Sequence, residues 1–319
     1  MKKALYILFT FITCTIYAQE TISFLSGDGL VNVTADKYID NSNTQFILLC
    51  HQAGYSRGEY IETAPILVGL GYNCMAIDQR SGNAINGITN QTAADAAAAG
   101  ISQNFTDAIP DIEAAIDIAY ELNNNNPIYL FGSSYSSALA LIIGRDNSKV
   151  KATIAFSPGE YLDGIDVSQE ISSYTKPVFV TSSQSEISGV TNLVSGISPT
   201  YLTHFQPTVA GLHGSKTLWS TTAGHEQYWT ALVDFLTSIL KTEDTIVQHF
   251  SIFPNPSKDV FTINTKETIQ KIEVFNLLGQ NVLSLLQTNE VNLQKMEKAT
   301  YILKIQTEKT TDFIKIIHN

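Results

Sequence analysis

The segment from Pro127 to Ala140 has the residue types that a serine nucleophile requires. It reads Pro-Ile-Tyr-Leu-Phe-Gly-Ser-Ser-Tyr-Ser-Ser-Ala-Leu-Ala, an apolar strand followed by small-x-Ser-x-small and then by an Ala-rich helix. A sharp strand-to-helix turn lifts the central serine out of the sheet, and small flanking residues, here Gly132 and Ser136, let the backbone make that turn. We therefore predict that Ser134 is a nucleophile.

A serine hydroxyl needs a histidine base, which must come from elsewhere in the chain. The candidates between residues 21 and 242 are His51, His204, His213 and His225. His225 follows Gly224 and precedes a helical pattern over residues 228–240, so it should lie over the carboxyl edge of the sheet, where the serine emerges. We predict His225 as the base, and His213 in the sequence Leu-His-Gly-Ser is the alternative.

The base needs an acid that orients it. An apolar strand after Pro177 leads into a polar loop that ends in Glu186, which keeps the chain order of serine, acid and histidine. Glu186 is therefore the predicted acid. Glu160, which follows the preceding strand, is the alternative.

Acyl transfer also needs two backbone N–H groups that bind the oxyanion. One should come from Tyr135, directly after the nucleophile. The second should come from the turn after the strand Phe46–Cys50, where Ala53 is the predicted donor and Gln52 the less favoured one. His51 is then better read as a residue that shapes this loop than as a base.

The rest of the first 242 residues alternates strands with helices. Most predicted strands are continuously apolar, which is typical of a parallel sheet that is buried on both faces. The predicted strands are Gln45–Cys50, Cys74–Asp78, Ile128–Phe131, Ala152–Phe156 and Val178–Thr181. Residues 107–122 carry apolar side chains at helical spacing, and residues 21–35 contain two short runs around a Gly turn, which indicates an antiparallel hairpin. This alternation predicts a doubly wound, mostly parallel α/β sheet.

The C-terminal part has a different pattern. Five short β-rich runs recur about every ten residues after a polar stretch, which predicts a small all-β sandwich. The expected division is a signal peptide over residues 1–18, a catalytic domain over 19–242, a linker over 243–250 and a β-sandwich domain over 251–319. The signal rests on a basic start, an apolar run of about a dozen residues and a small residue, Ala18.

The net charge and the number of cysteines exclude some classes of function and of scaffold. The net charge is −11, and residues 247–319 hold eight Lys against seven Asp and Glu, so the acidic excess lies in the predicted catalytic part. An acidic surface repels nucleic acid and anionic lipid. Removal of the signal would leave only Cys50 and Cys74, which excludes a disulfide framework and favours two buried thiols.

Taken together, these motifs resemble the α/β-hydrolase superfamily, nearest to its dienelactone-hydrolase-like and esterase-like members. The resemblance covers roughly residues 21–242 and rests on these segments: 51–54 (His-Gln-Ala-Gly), 77–82 (Ile-Asp-Gln-Arg-Ser-Gly), 132–136, 177–186 and 224–225. It implies an eight-stranded sheet and assigns Ser134, Glu186 and His225 as nucleophile, acid and base. Gln52, Ser136 and Glu186 depart from the residues that are common in the family, but no catalytic group is missing. About 20 residues separate Phe156 from Lys176, too few for a cap domain.

The tail resembles the C-terminal sorting domain of the type IX (Por) secretion system of Bacteroidetes. The resemblance rests on Phe-Pro-Asn-Pro at residues 253–256 and on the segments 260–263, 272–280 and 301–305. It implies export through the periplasm and across the outer membrane by the type IX machinery, so that the protein ends free or at the cell surface. A carbohydrate-binding module is the alternative, but the tail lacks clustered Trp and Tyr.

The combined reading is a secreted serine hydrolase that cleaves carboxylic esters of small substrates, without a metal or organic cofactor and without a transmembrane anchor once the signal is removed. A peptidase or lactone hydrolase would use the same residues, because a fold alone does not choose among them. The alternative from a different functional class is a non-catalytic surface protein that keeps the fold and only binds a ligand.

Overall fold

The structure is a computed structural model that describes residues 19–243, 250–265, 267–277, 279–308 and 310–319. The predicted signal peptide and most of the predicted linker lie outside the described residues. In the first part the strands are β1 Gln19–Leu25, β2 Asn32–Tyr38, β3 Gln45–Cys50, β4 Tyr72–Ile77, β5 Ala84–Ile85, β6 Ile88–Thr89, β7 Ile128–Ser133, β8 Val150–Phe156, β9 Val178–Thr181 and β10 Leu202–Phe205. The helices are α1 Thr63–Gly69, α2 Gln91–Ala98, α3 Ile109–Leu122, α4 Tyr135–Asp146, α5 Val167–Ile171, α6 Ile187–Leu193 and α7 His225–Glu243.

An eight-stranded sheet in the order β1-β2-β4-β3-β7-β8-β9-β10 forms the centre of this part. The six strands from β4 to β10 in this order are parallel, and β1 and β2 form the predicted antiparallel hairpin at one edge. The predicted α/β fold is therefore confirmed. Strand β10, at the other edge, was absent from the sequence prediction.

Side chains on alternate positions of β3 show why helices cover both faces of the sheet. Phe46 and Leu48 pack in one core with α3 and α4, whereas Ile47 and Leu49 pack in a second core with α1 and α7. All four side chains are fully buried. The uninterrupted apolar run in the sequence thus reflects burial on two faces. Cys50 and Cys74 are buried free thiols within these strands.

The connection between β8 and β9, which the structure describes throughout, contains only α5, a helix of five residues, so this connection forms no cap domain over the carboxyl edge of the sheet. Among the residues that the structure describes, no helix is long and apolar enough to cross a membrane.

The C-terminal part consists of antiparallel strands in two sheets, as predicted. Its strands are β11 Phe250–Phe253, β12 Val260–Thr265, β13 Lys271–Asn276, β14 Asn281–Leu286, β15 Glu290–Asn292, β16 Thr300–Gln306 and β17 Thr311–Ile317. One sheet has the order β11-β12-β15 and the other β14-β13-β16-β17. Buried apolar side chains from both sheets, among them Phe261, Val274 and Leu303, form their common core.

The C-terminal strands also contact the α/β part. The ring of Phe313 lies against Gly71, where an added Cβ would come within 2.4 Å of the ring. Ile302 and Phe275 pack in the same core as α7. Lys304 Nζ lies 2.7 Å from Ser42 Oγ and 3.3 Å from Asp40 Oδ2, and Lys315 pairs with Asp234. Apolar packing and ion pairs therefore join the two parts.

Candidate active site

The turn between β7 and α4 holds Ser134 in a strained backbone conformation. Its φ of 57° and ψ of −123° lie in a region that costs a residue with a side chain about 1–3 kcal/mol. A hydrogen bond of 2.8 Å from Ser134 N–H to Phe156 O ties the turn to the neighbouring strand. At Gly132 an added Cβ would lie 2.4 Å from Ser136 O, so only glycine fits there. The predicted sharp turn is present.

Ser136 has a structural reason to be serine. Its Oγ accepts a hydrogen bond of 3.0 Å from Ser133 N–H and donates one of 2.7 Å to Cys50 O at the end of β3. The hydroxyl therefore fastens the turn to the neighbouring strand, a contact that glycine could not make.

His213 is the histidine that the structure places at Ser134. It lies in the connection from β10 to α7, and its Nε2 is 2.7 Å from Ser134 Oγ. Its Nδ1 contacts Glu186 Oε1 at very short range. Because a carboxylate only accepts hydrogen bonds, Nδ1 carries the ring proton, and Nε2 is left as an acceptor for the Ser134 hydroxyl. In this arrangement Nε2 can take the proton of Ser134.

The surroundings of Glu186 favour the ionised form of its carboxyl group. Burial raises its pKa, but hydrogen bonds from His213, Ser183 and Ser157 outweigh that effect and bring the pKa to about 2. The hydroxyl groups of Ser183 and Ser157 each lie 2.8 Å from Glu186 Oε2. Tyr161 stands edge-on to the His213 ring, with 6.4 Å between the ring centroids. A charged carboxylate thus faces the imidazole.

The prediction of His225 as the histidine at Ser134 is wrong. His225 is the first residue of α7 and is only 8% exposed, and its Nδ1 donates to Thr222 O over 2.9 Å. The apolar runs of the sequence end at β9, so β10 was not predicted and the loop after the last strand was expected next to the closing helix. Because β10 ends at Phe205, the loop after the last strand begins there. The part of this loop that lies over Ser134 contains His213, well before the start of α7.

Glu160, the alternative acid, makes its hydrogen bonds away from His213. Its two carboxylate oxygens accept from Val167 N–H at 2.7 Å and Ser168 N–H at 2.9 Å, so it caps the start of α5. Glu186 is thus the carboxylate that contacts His213.

The predicted oxyanion donors keep their N–H groups without an acceptor in the described part of the chain. This holds for Ala53 and for Tyr135. The N–H of Gln52, by contrast, donates to Glu59 Oε2 over 2.7 Å. The structure therefore favours Ala53 over Gln52.

Sequence reasoning missed Ser157. It lies directly after β8 with a φ of 52°, donates to Glu186 and accepts from Gly214 N–H over 2.9 Å. The Ser-Pro-Gly sequence at residues 157–159, directly after a buried strand, was its only signal.

An open cleft of about 470 Å³ lies beside the carboxylate of Glu186. Its lining includes Tyr161, Val190 and Leu193, together with Glu160 and Glu186. Among the described residues, no group of three or more His, Cys, Asp or Glu side chains is arranged to hold a metal ion.

Residues 41–246 match the family described as serine aminopeptidase, S33, a family of α/β hydrolases. The chain belongs to this family. It is therefore a hydrolase, which agrees with the strained serine turn and with the histidine beside it. The family assignment confirms the resemblance stated from the sequence.

Residues 251–319 match the secretion system C-terminal sorting domain. This confirms the second resemblance, and it makes the protein a secreted or cell-surface hydrolase of the type IX route.

Solved structures show the same fold at low identity. An esterase from Pyrococcus furiosus is 18% identical with a TM-score of 0.54, and the match covers 70% of this chain and 93% of that one. A dienelactone hydrolase from Anabaena variabilis is 13% identical with a TM-score of 0.54, covering 70% and 98%. A cold-adapted esterase from an Arctic intertidal metagenomic library is 21% identical with a TM-score of 0.51, covering 69% and 93%. No curated protein matches the chain.

Proposed function

We propose that the protein hydrolyses carboxylic esters of small substrates through an acyl-enzyme on Ser134. The observation that carries this proposal is the distance of 2.7 Å between His213 Nε2 and Ser134 Oγ, with Glu186 on the opposite ring nitrogen. In this proposal Ser134 is the nucleophile, His213 the base and Glu186 the acid that orients it.

Acylation follows from that geometry. His213 Nε2 takes the proton of Ser134 while Oγ attacks the carbonyl carbon of the ester, and the ionised Glu186 stabilises the imidazolium that forms. The N–H groups of Ala53 and Tyr135 bind the resulting oxyanion. The carbon–oxygen bond to the alcohol then breaks, and the alcohol leaves with the proton from His213.

Deacylation repeats these steps with water as the nucleophile. His213 takes a proton from water, the hydroxide attacks the acyl carbon, and the bond to Ser134 Oγ breaks. Oγ recovers its proton from His213, and the carboxylic acid departs. The open carboxyl edge of the sheet lets water reach this position.

We also propose the domain division and the route of export. Residues 1–18 serve as signal peptide, 19–242 as catalytic domain, 243–250 as linker and 251–319 as sorting domain. The chain then crosses the periplasm of a Bacteroidetes-type bacterium and leaves through the type IX machinery, which the sorting domain engages. The match of residues 251–319 to that domain supports this route.

Aminopeptidase activity is a second candidate. The family carries that description, and Glu160 is among the residues that line the cleft next to Glu186, where its negative charge would attract a substrate ammonium group. Aminoacyl p-nitroanilides test this candidate directly. A binding protein without activity is disfavoured, because the serine, histidine and carboxylate contact one another in order.

The test is to treat the full-length protein with a fluorophosphonate probe and with short-chain p-nitrophenyl esters. Wild type should be labelled and turn over, and Ser134→Ala should lose labelling and at least about 10⁴-fold in kcat. His213→Ala should lose a similar factor in kcat, whereas His225→Ala, the matched control, should keep kcat within about threefold. A folded wild type that neither labels nor hydrolyses any ester would refute the esterase proposal. Equal losses in both histidine variants would refute the role of His213.

A further inference from the structure

Glu59 is a fully buried carboxylate directly beneath the proposed active site. It lies in a short helical turn over Arg57–Tyr60, between β3 and α1, and none of its surface is exposed. In the described part of the chain no Lys, Arg or His lies within ion-pair distance of it, and the charge of Lys216 acts on it only from farther away. A buried charge without a cation is costly unless hydrogen bonds compensate it, so such a group points to a role beyond packing.

Burial raises the pKa of Glu59, and three hydrogen bonds, each from a different segment, oppose that shift. Oε2 accepts from Gln52 N–H over 2.7 Å, whereas Oε1 accepts from the hydroxyls of Ser133 over 2.8 Å and Ser215 over 2.5 Å. Ser133 Oγ in turn accepts from Ser215 N–H over 2.8 Å, which leaves its own proton for Glu59. All three groups that contact the side chain are therefore hydrogen-bond donors, and the ionised carboxylate offers an acceptor to each of them.

Each of the three partners lies within two residues of a residue that acts in the proposed mechanism. Gln52 precedes Ala53, Ser133 precedes Ser134, and Ser215 lies two residues after His213. The backbone of Glu59 adds a fourth link, because its carbonyl accepts from Trp219 Nε1 over 3.0 Å. One side chain thus joins the oxyanion loop, the serine turn and the histidine loop.

We propose that Glu59 is a positioning residue that holds the oxyanion donor, the nucleophile and the base in register. The inference rests on the proposed esterase function. Glu59 contacts none of the reacting atoms, and it acts by fixing the backbone on which all three are mounted. A displacement of about 1 Å in such a site lowers the rate by about 100-fold.

The conservative substitution Glu59→Gln isolates this role. A glutamine has nearly the same shape, but its amide nitrogen is a donor, so either Gln52 N–H or the two serine hydroxyls face a donor instead of an acceptor. Asp111→Asn is the matched control, since Asp111 is also fully buried and the hydrogen bonds of its carboxylate go to Arg80 and not to the three loops. We expect both variants to lose stability, and only Glu59→Gln changes hydrogen bonds to the three loops.

The experiment measures the melting temperature, and kcat and KM for p-nitrophenyl acetate, in full-length wild type, Glu59→Gln and Asp111→Asn. We expect Glu59→Gln to lose about 10- to 100-fold in kcat with KM within about threefold, and Asp111→Asn to keep kcat within about twofold. A folded Glu59→Gln with wild-type kcat would overturn the inference, as would an equal loss in Asp111→Asn.

If Glu59→Gln does not fold, Ser215→Ala removes one of the three bonds and serves as the second variant. A loss of about 3- to 10-fold in its kcat supports the inference, and an unchanged kcat overturns it. Failure of the proposed function is separable, because an inactive wild type would show it before any variant is compared.

Discussion

The buried histidine His51 should make the α/β part unstable in mild acid. Its ring is fully buried, its Nδ1 lies 2.8 Å from Gln52 O, and its Nε2 accepts from Gln79 N–H at 3.1 Å and Asn90 Nδ2 at 3.0 Å. A proton on Nε2 would confront two donors. Burial lowers the pKa of His51 from 6.5 to about 4, although hydrogen bonds with the backbone at Gln52 and Gln79 oppose the shift.

The sign of the effect follows from proton linkage. Below pH 6.5 the unfolded chain binds a proton at His51, whereas the folded chain does not until the pH nears 4. The stabilisation is therefore complete above pH 6.5 and is lost as the pH falls to 4, by about 3 kcal/mol for this pKa difference. The pKa of His204 is also lowered by burial, so this residue contributes with the same sign.

Urea unfolding of wild type and His51→Gln between pH 7 and pH 4 measures the effect, and comparison with the variant cancels His204 and every other titrating group. Both tryptophans of the chain, Trp219 and Trp229, lie in the α/β part, so their fluorescence reports that part alone. Wild type should lose about 3 kcal/mol more than the variant over this range. Equal losses in the two proteins would show that the neutral ring of His51 does not control acid stability.

Three further predictions concern the serine turn and the acid. Gly132→Ala should cost about 3 kcal/mol or more, because its Cβ would lie 2.4 Å from Ser136 O and 2.5 Å from Ser137 Cα, and a wild-type melting temperature would contradict this. Ser136→Ala should cost about 1–3 kcal/mol in urea unfolding, because the buried Ser133 N–H loses its side-chain acceptor and Cys50 O, which also accepts from the Tyr60 hydroxyl, loses a donor; an unchanged midpoint would contradict it. Since the pKa of Glu186 lies near 2, wild type should lose more stability than Glu186→Gln as the pH falls from 4.5 to 2, and parallel curves would refute that difference.

The fold could be predicted because its signals are local. Most of the five predicted strands are continuous apolar runs, and the small residues around Ser134 are a direct requirement of the turn that carries it. Glu186 was predictable for a similar reason, since it follows a strand whose end is marked by polar residues. Each of these signals lies within about ten residues of the group that it positions.

The histidine could not be assigned in the same way. Strand β10, Leu202–Phe205, is a half-exposed edge strand of four residues, and its sequence Leu-Thr-His-Phe has no continuous apolar run. Without it, the choice between His213 and His225 rested on nearness to α7. The contacts of Glu59 were also hidden, because its serine partners are 74 and 156 residues away in the chain.

The contact between the C-terminal strands and the α/β part determines how a chain without those strands would behave in solution. Leu70, Tyr72, Val233 and Leu236 line the same small cavity as Ile302 and Phe313. A chain cut directly after Glu243 would turn these apolar side chains towards water as one continuous patch, and such patches promote self-association. A tail-less preparation would then require polar substitutions on that face, or a detergent, to stay dispersed at the concentrations that crystallisation needs.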